Sequence, residues 1–233
     1  MKLPIYPAGW PWIIASSCAT VVLIFLVFQF PYPAFLTFLA FLAFLAFLTF
    51  FLIIFFRDPE RRPDPQGLAR LKSGEYPILS PADGTITDIT EISDPSPLTP
   101  HPCLRIGIFL SPLNCHVQRS PLEGAVKNIT RKNGRFRPAY SPDASEINAS
   151  TTIEITHHVL DNCRVRQIVG LLARRILTTA EPGDSLKLGE RLGMILLGSR
   201  VELEVPKNKI RLLTAKGARI YAGQTIIAAY TSQ

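Results

Sequence analysis

Charge is what the first 56 residues lack: they contain one charged side chain, Lys2, and every one of the 18 acidic residues comes later. A segment so poor in charge is not a solvated surface. Cysteine is scarce as well. Outside the apolar segment, Cys103, Cys115 and Cys163 show no paired spacing, which argues against a disulfide scaffold or a zinc knuckle and leaves them as structural, buried or merely tolerated thiols. No metal ligand set is expected. Residues 57–233 carry 24 basic side chains against 18 acidic, a formal charge of +6. That balance suits an anionic membrane surface, and no nucleic-acid partner is expected.

The apolar segment divides into two candidate spans, Trp12 to Phe30 and Ala34 to Phe56, of 19 and 23 residues. At the helical rise they reach ~28 and ~34 Å, against ~30 Å of hydrocarbon. The second span holds seventeen Phe, Leu or Ile residues, worth roughly 5–10 kcal/mol on insertion. Its Phe-Leu-Ala triplets drift around a helix and leave no polar face, which disfavours an interfacial amphipathic helix. No small-residue cleavage site follows Phe30, and a second span comes at once, so a removable signal peptide is also disfavoured. Pro31-Tyr32-Pro33 predicts a sharp turn between the spans. With Arg57, Arg61 and Arg62 directly after them, the positive-inside rule predicts a cell-membrane hairpin with the domain that follows it in the cytoplasm. The expected organisation is an anchor at 1–56, a Pro- and Arg-rich linker at 57–73, and a single domain at 74–233.

Within that domain the stretch from Met194 to Pro206, MILLGSRVELEVP, is the most informative. An apolar run is interrupted by Gly198-Ser199, and then Val201, Leu203 and Val205 alternate with Glu202 and Glu204, the period of a half-buried strand. Gly in a strand marks a bulge or a place where something must approach the backbone closely. Here the approaching group can be the neighbouring hydroxyl, because a serine can attack the carbonyl of its own preceding residue and a glycine there presents no Cβ.

Short strands with frequent Gly and Pro turns predict a mainly β fold. Two faint duplications run through it. Ser80 to Thr90 parallels Ser120 to Thr130, and Gly183 to Glu190 parallels Gly217 to Gln224. The second pair resembles the turn-rich units of lipoyl-like barrel sandwiches. The fold class is thus a β-sandwich or barrel-sandwich-like domain with few helices, after an N-terminal transmembrane α-hairpin. Ser145 to Ser150 and part of 161–167 are candidate helices; Pro95 to Pro102 and Lys132 to Pro142 read as loops.

Three motifs occur in a consistent order: Ser80-Pro81-Ala82-Asp83-Gly84, then Phe109 to Pro121 (FLSPLNCHVQRSP), then Gly198-Ser199-Arg200. With Phe55 to Arg61, Ala144-Ser145-Glu146 and Gly170 to Arg175 in support, residues 50 to 233 resemble the phosphatidylserine decarboxylases, in particular their short class. The resemblance implies a proenzyme that cuts itself between Gly198 and Ser199, giving a β chain 1–198 and an α chain 199–233 that stay together. Ser199 becomes a covalent pyruvoyl cofactor, a bound form of pyruvate, which holds the serine head group of phosphatidylserine as a Schiff base while CO₂ leaves. Phosphatidylethanolamine is the product. The resemblance further implies a triad of Asp83, His116 and Ser199. Arg200 beside the pyruvoyl and Asn148 are candidate substrate-binding residues, and a homo-oligomer is possible. His101, His157 and His158 match none of these motifs.

The chain departs from the family pattern at Asn114 and Cys115, at Pro142, and at Ala149 and Ser150 beside Asn148. The departures in the polar cluster around Asn148 bear on lipid selectivity, and the self-cleavage motif itself is whole. Two rivals follow: a decarboxylase of another seryl lipid, such as archaetidylserine, and a non-catalytic membrane-anchored β module.

Overall fold

The computed structural model describes residues 5–27, 32–92, 102–141, 143–171, 175–196 and 198–231. The chain forms two compact units, Met1–Glu60 and Arg61–Gln233.

In the first unit a single turn at Pro7–Gly9 leads into α1 (Trp10–Val27), followed by α2 (Tyr32–Phe55). Both are long and apolar enough to cross a membrane. Of the expected turn, Pro31 lies outside the described residues, as does the stretch 28–30, while Tyr32 and Pro33 open α2, a place where proline's missing N–H costs nothing. The chain enters and leaves this unit at one point. The Tyr6 N–H donates to the Phe56 carbonyl at 2.7 Å, and Ile5 and Arg57 form an antiparallel bridge. Gly9 permits this closure, since a Cβ there would lie 2.3 Å from the Phe56 ring. Hydroxyls inside the pair are satisfied by their own helices, Thr20 on the Ser16 carbonyl and Thr49 on that of Leu45, as hydrocarbon surroundings require.

The second unit is mainly β. After the one-turn α3 (Pro65–Leu68), capped by the Asp64 carboxylate, come β1 (Glu75–Leu79), β2 (Gly84–Ile92), β3 (Cys103–Leu110), β4 (Val117–Arg119) and β5 (Gly124–Lys132). The short α4 (Ala144–Ile147) precedes β6 (Ser150–His157), β7 (Asp161–Ile168), β8 (Ile176–Thr178), β9 (Ser185–Leu186) and β10 (Arg191–Ile195). The remainder is β11 (Ser199–Pro206), β12 (Ile210–Leu212), β13 (Arg219–Ile220) and β14 (Ile226–Thr231). An eight-stranded sheet runs in the order β13-β2-β3-β11-β7-β6-β5-β9, flanked by β1-β14-β12 and β4-β10-β8.

Two sequence readings are corrected here. The candidate helix within 161–167 is strand β7, which pairs along its whole length with β6. Its Cys163 and Val165 enter the core while Arg164 and Arg166 point the other way, a two-residue period that a short polar-looking segment disguises. The second concerns β11. Val201, Leu203 and Val205 are fully buried against Ile106, Ile108 and Val165, as the alternation predicts, but Glu202 and Glu204 are buried too. Cross-strand arginines make that possible. Glu202 meets Arg200, Arg166 and Arg105, and Glu204 meets Arg105 and Arg164. A carboxylate leaves water only when paired and hydrogen-bonded, and no reading of a single strand reveals its neighbours' charges. Of the remaining helix candidate, Ala144–Ile147 is helical and Ser150 already belongs to β6. The loop predicted at Pro95 to Pro102 lies, but for Pro102, outside the described residues.

The duplications are real in three dimensions. Ser80 Oγ donates to the Ala82 carbonyl, and Ser120 Oγ to that of Leu122. Each is followed by a strand with a bulge at the same place, Ile86/Asp88 and Val126/Asn128. The turns they hook repeat as well. The Gly223 N–H donates to the Ser80 carbonyl and the Gly189 N–H to that of Ser120, both at 2.9 Å.

Candidate active site

Gly198 does not interrupt one strand but joins two. The chain leaves β10 in one sheet at Ile195 and enters β11 in another at Ser199. Gly198 makes the junction with φ +65°, a left-handed conformation that glycine adopts without strain. Its carbonyl oxygen rests on Gly170, where a Cβ would lie only 2.1 Å away. The Gly198 carbonyl is therefore seated by a second glycine.

Ser199 is fully buried, and its Oγ has no hydrogen-bond partner among the described residues. A buried unpaired hydroxyl is costly; here it is a group held unengaged beside the carbonyl it would attack. The orphaned hydroxyl, with a side-chain-free residue before it, fits the serine-derived pyruvoyl group that the resemblance implies.

His116, also fully buried, stands at the other side of Gly198, on the N–H of the preceding peptide. The Gly198 N–H donates to His116 Nε2 at 3.3 Å, and His116 Nδ1 lies 2.9 Å from the Asn114 carbonyl. A carbonyl only accepts, so Nδ1 carries the proton, and the Nε2 lone pair is held by the Gly198 N–H, which it would have to leave to act as a base. The Asn114 carbonyl is aimed by a tight turn in which its side chain accepts from the Ser111 N–H and hydroxyl, both at 2.8 Å. This departure from the family pattern thus has a local role. Sequence reading missed one further set. Gln118 donates to the His116 carbonyl at 2.7 Å, Gln167 to Gln118, and Thr178 to Gln167. Gln118 and Gln167 are fully buried; that Gln167 continues the inward alternation of Cys163 and Val165 was the available signal.

Asp83, nearly fully buried, sits in the Ser80–Gly84 loop. Its Oδ1 accepts from the Ala222 N–H at 2.8 Å, and its Oδ2 from Arg61 at 3.0 Å. The Arg119 N–H, three residues beyond His116, donates to the Pro81 carbonyl of that loop at 2.9 Å.

Arg200 and Asn148 are already engaged. The Arg200 guanidinium grips Asp88 at 2.8 Å through both Nη atoms, reaches Glu202 at 2.9 Å through Nε, and lies where a Gly107 side chain would otherwise stand. Burial opposes charge on both partners. It is outweighed, so that Asp88 is held below the usual carboxylate range by Arg200 and Thr87, and Arg200 above its usual value by Asp88 and Glu202. A role for Arg200 on substrate would require it to leave Asp88. Asn148, fully buried, donates to the Arg137 and Val169 carbonyls at 2.8 and 2.9 Å and accepts from the Arg137 N–H. It pins the 135–139 loop beside Gly170.

A model of the family described as phosphatidylserine decarboxylase matches residues 48–228. A phosphatidylserine decarboxylase proenzyme of Carboxydothermus hydrogenoformans is 41% identical over 177 residues, covering 76% of this chain and 78% of that protein. A Methanosarcina acetivorans protein, provisionally named an archaetidylserine decarboxylase proenzyme, is 36% identical over 218 residues, 94% of this chain and 93% of its own. A phosphatidylserine decarboxylase proenzyme of Nitrobacter winogradskyi is 34% identical over 97% of this chain and 84% of its own length.

Proposed function

The chain belongs to the phosphatidylserine decarboxylase family, and on that premise we propose that it is a proenzyme which cuts itself at Gly198-Ser199 and then decarboxylates phosphatidylserine. The observation that carries the reading is the buried, unengaged Ser199 hydroxyl one residue from the Gly198 N–H that rests on His116 Nε2.

Ser199 Oγ attacks the Gly198 carbonyl carbon while His116 takes the hydroxyl proton and returns it to the departing Ser199 nitrogen. The amide becomes an ester. Such a nucleophile needs a base, and the base needs a group to orient it. Asn114 fixes the tautomer, and Asp83 stabilises the imidazolium as it forms. Loss of the Ser199 Cα proton then expels the Gly198 carboxylate, leaving a dehydroalanine that water converts to a ketone with release of ammonia. The resulting pyruvoyl group supplies an electron-poor carbonyl that takes up the substrate amine and the electrons left as CO₂ departs.

The cut does not release residues 199–233. They contribute β11, locked between β3 and β7, β14 along β1, and β13 along β2. The helix pair anchors the enzyme in the membrane, with Arg57, Arg61 and Arg62 on the cytoplasmic side. The anchor at 1–56, the linker at 57–73 and the catalytic domain at 74–233 are part of this reading, as are lipid contacts by Arg200 and Asn148 after maturation.

Mature protein mixed with phosphatidylserine in detergent micelles should release CO₂ and form phosphatidylethanolamine, and should fail on free serine, for which no lipid contacts supply positioning. Equal turnover of free serine would reject the reading. A second reading, an archaeal-type ether-linked seryl lipid as substrate, is favoured by the Methanosarcina acetivorans relative, which aligns over 94% of the chain. Competition between the two lipids in mixed micelles separates them.

A further inference from the structure

Arg61 is the first residue of the second unit and follows α2 by only a few residues. Its guanidinium is held on three sides. One arm meets Asp83 Oδ2 at 3.0 Å, another donates to the Gln224 side-chain carbonyl, and the plane lies over the Tyr221 ring, 5.8 Å from its centre. The segment around it is bolted down as well, since the Asp64 N–H donates to the Gln224 carbonyl at 3.0 Å. Gly223 admits this crowding: a Cβ there would come 2.8 Å from Arg119 Cδ and 3.4 Å from Arg61 Cβ.

The duplicated loop shows what Arg61 does. Ser120 to Gly124 has the same serine-to-carbonyl bond and the same hooked turn as Ser80 to Gly84, yet its acidic residue, Glu123, is exposed. The loop backbone therefore does not require its acidic side chain to be buried. At Asp83 the carboxylate is buried, and Arg61, whose own side chain is 12% exposed, is a cation paired with it. A carboxylate in that position stays ionised only with a charge partner and hydrogen bonds.

We propose that Arg61 is a positioning residue for self-cleavage: it keeps the Asp83 carboxylate ionised and in place for His116, and so ties maturation to the segment that leaves the apolar helix pair. The proposal rests on the Asp83–His116–Ser199 reading above. The guanidinium fork sets the carboxylate's orientation as well as its charge, since one oxygen faces Arg61 while the other faces the Ala222 N–H.

The test follows self-cleavage of the full-length chain on denaturing gels, with melting temperatures measured in parallel. Arg61→Gln should slow cleavage on the order of 10- to 100-fold, the scale on which misplaced catalytic groups act. Arg61→Lys, which keeps the charge and loses the fork, should recover much of the rate. In an Asp83→Asn background Arg61→Gln should add nothing, because residues acting as one unit are non-additive. Wild-type cleavage by Arg61→Gln would overturn the proposal. So would a loss of rate that persists in full in the Asp83→Asn background, or one that follows the melting temperature across all variants; either would make Arg61 a merely structural residue. Should Arg61→Gln not fold, Arg61→Lys with and without Asp83→Asn decides by the same criterion. Ser199→Ala runs alongside: if it still cleaves, the self-cleavage reading fails, whatever Arg61 does.

Discussion

The two duplicated loops, Ser80–Gly84 with its strand β2 and Ser120–Gly124 with β5, have one backbone and two fates. Both glycines are required by close approach: a Cβ at Gly84 would lie 2.2 Å from the Phe109 carbonyl oxygen, and one at Gly124 would lie 2.5 Å from that of Thr156. Both strands bulge at the same step. The residues after the bulge differ: Asp88 grips Arg200, while Asn128 bonds only along its own exposed strand. The acidic residues before the glycine differ in the same sense, Asp83 buried against Arg61 and Glu123 facing solvent. Backbone repetition thus supplies a scaffold, and the two copies differ in which acidic side chains are buried and paired.

The comparison breaks most readily at its acidic residues. Asp83→Asn should slow self-cleavage by about 100-fold or more, because the charge that stabilises the His116 imidazolium is lost. Glu123→Gln should leave the rate unchanged, with stability within about 0.5 kcal/mol of wild type. Gel densitometry over a time course decides, and equal slowing by both would abolish the distinction. Next in size is Gly170→Ala, whose new Cβ would displace the Gly198 carbonyl. Cleavage should fall by about 100-fold, while denaturant unfolding shows a loss of only about 1–3 kcal/mol.

The glycines of the two copies sharpen the contrast further. Gly84→Ala and Gly124→Ala should each cost about 1–3 kcal/mol in unfolding experiments, by overpacking against a carbonyl. Only the first should also slow cleavage, because it shifts the loop that carries Asp83.

The smallest effect is expected near the second copy. His157 Nδ1 accepts from the Val159 and Leu160 N–H groups, so its Nε2–H points to the Tyr230 hydroxyl, 3.0 Å away. Burial pushes its pKa down and His158 adds to this, while Glu123 opposes them. A depressed histidine binds its proton more weakly folded than unfolded. Stability should therefore decline as pH falls below the ordinary histidine value near 6.5. Melting temperatures at neutral and mildly acidic pH should show that decline, and His157→Gln should flatten it.

Much of this was legible in the chain. The apolar spans, the Gly198-Ser199 pair and both duplications lie in contiguous residues, where local rules of hydropathy and turn chemistry apply. What escaped reading depends on partners distant in sequence. Glu202 and Glu204 look solvated until Arg105, Arg164 and Arg166 arrive from neighbouring strands. Strand β7 looks irregular because its outward face is arginine. The link from Arg61 to Asp83 spans 22 residues and needs the turn at Tyr221–Gln224 to complete it. The Asn114 carbonyl behind His116 was hidden for a different reason, being backbone rather than side chain.

The central claim is that the Ser199 hydroxyl, set beside the Gly198 carbonyl and served by His116, opens the chain. Intact-mass spectrometry of the purified wild-type protein and of Ser199→Ala tests it most directly. The wild type should show two species, one of them residues 199–233 with a blocked, ketone-bearing N-terminus that reacts with a carbonyl reagent, and Ser199→Ala should show one uncut, inactive chain. A catalytically active wild-type preparation that remains intact across 198–199 would contradict the account.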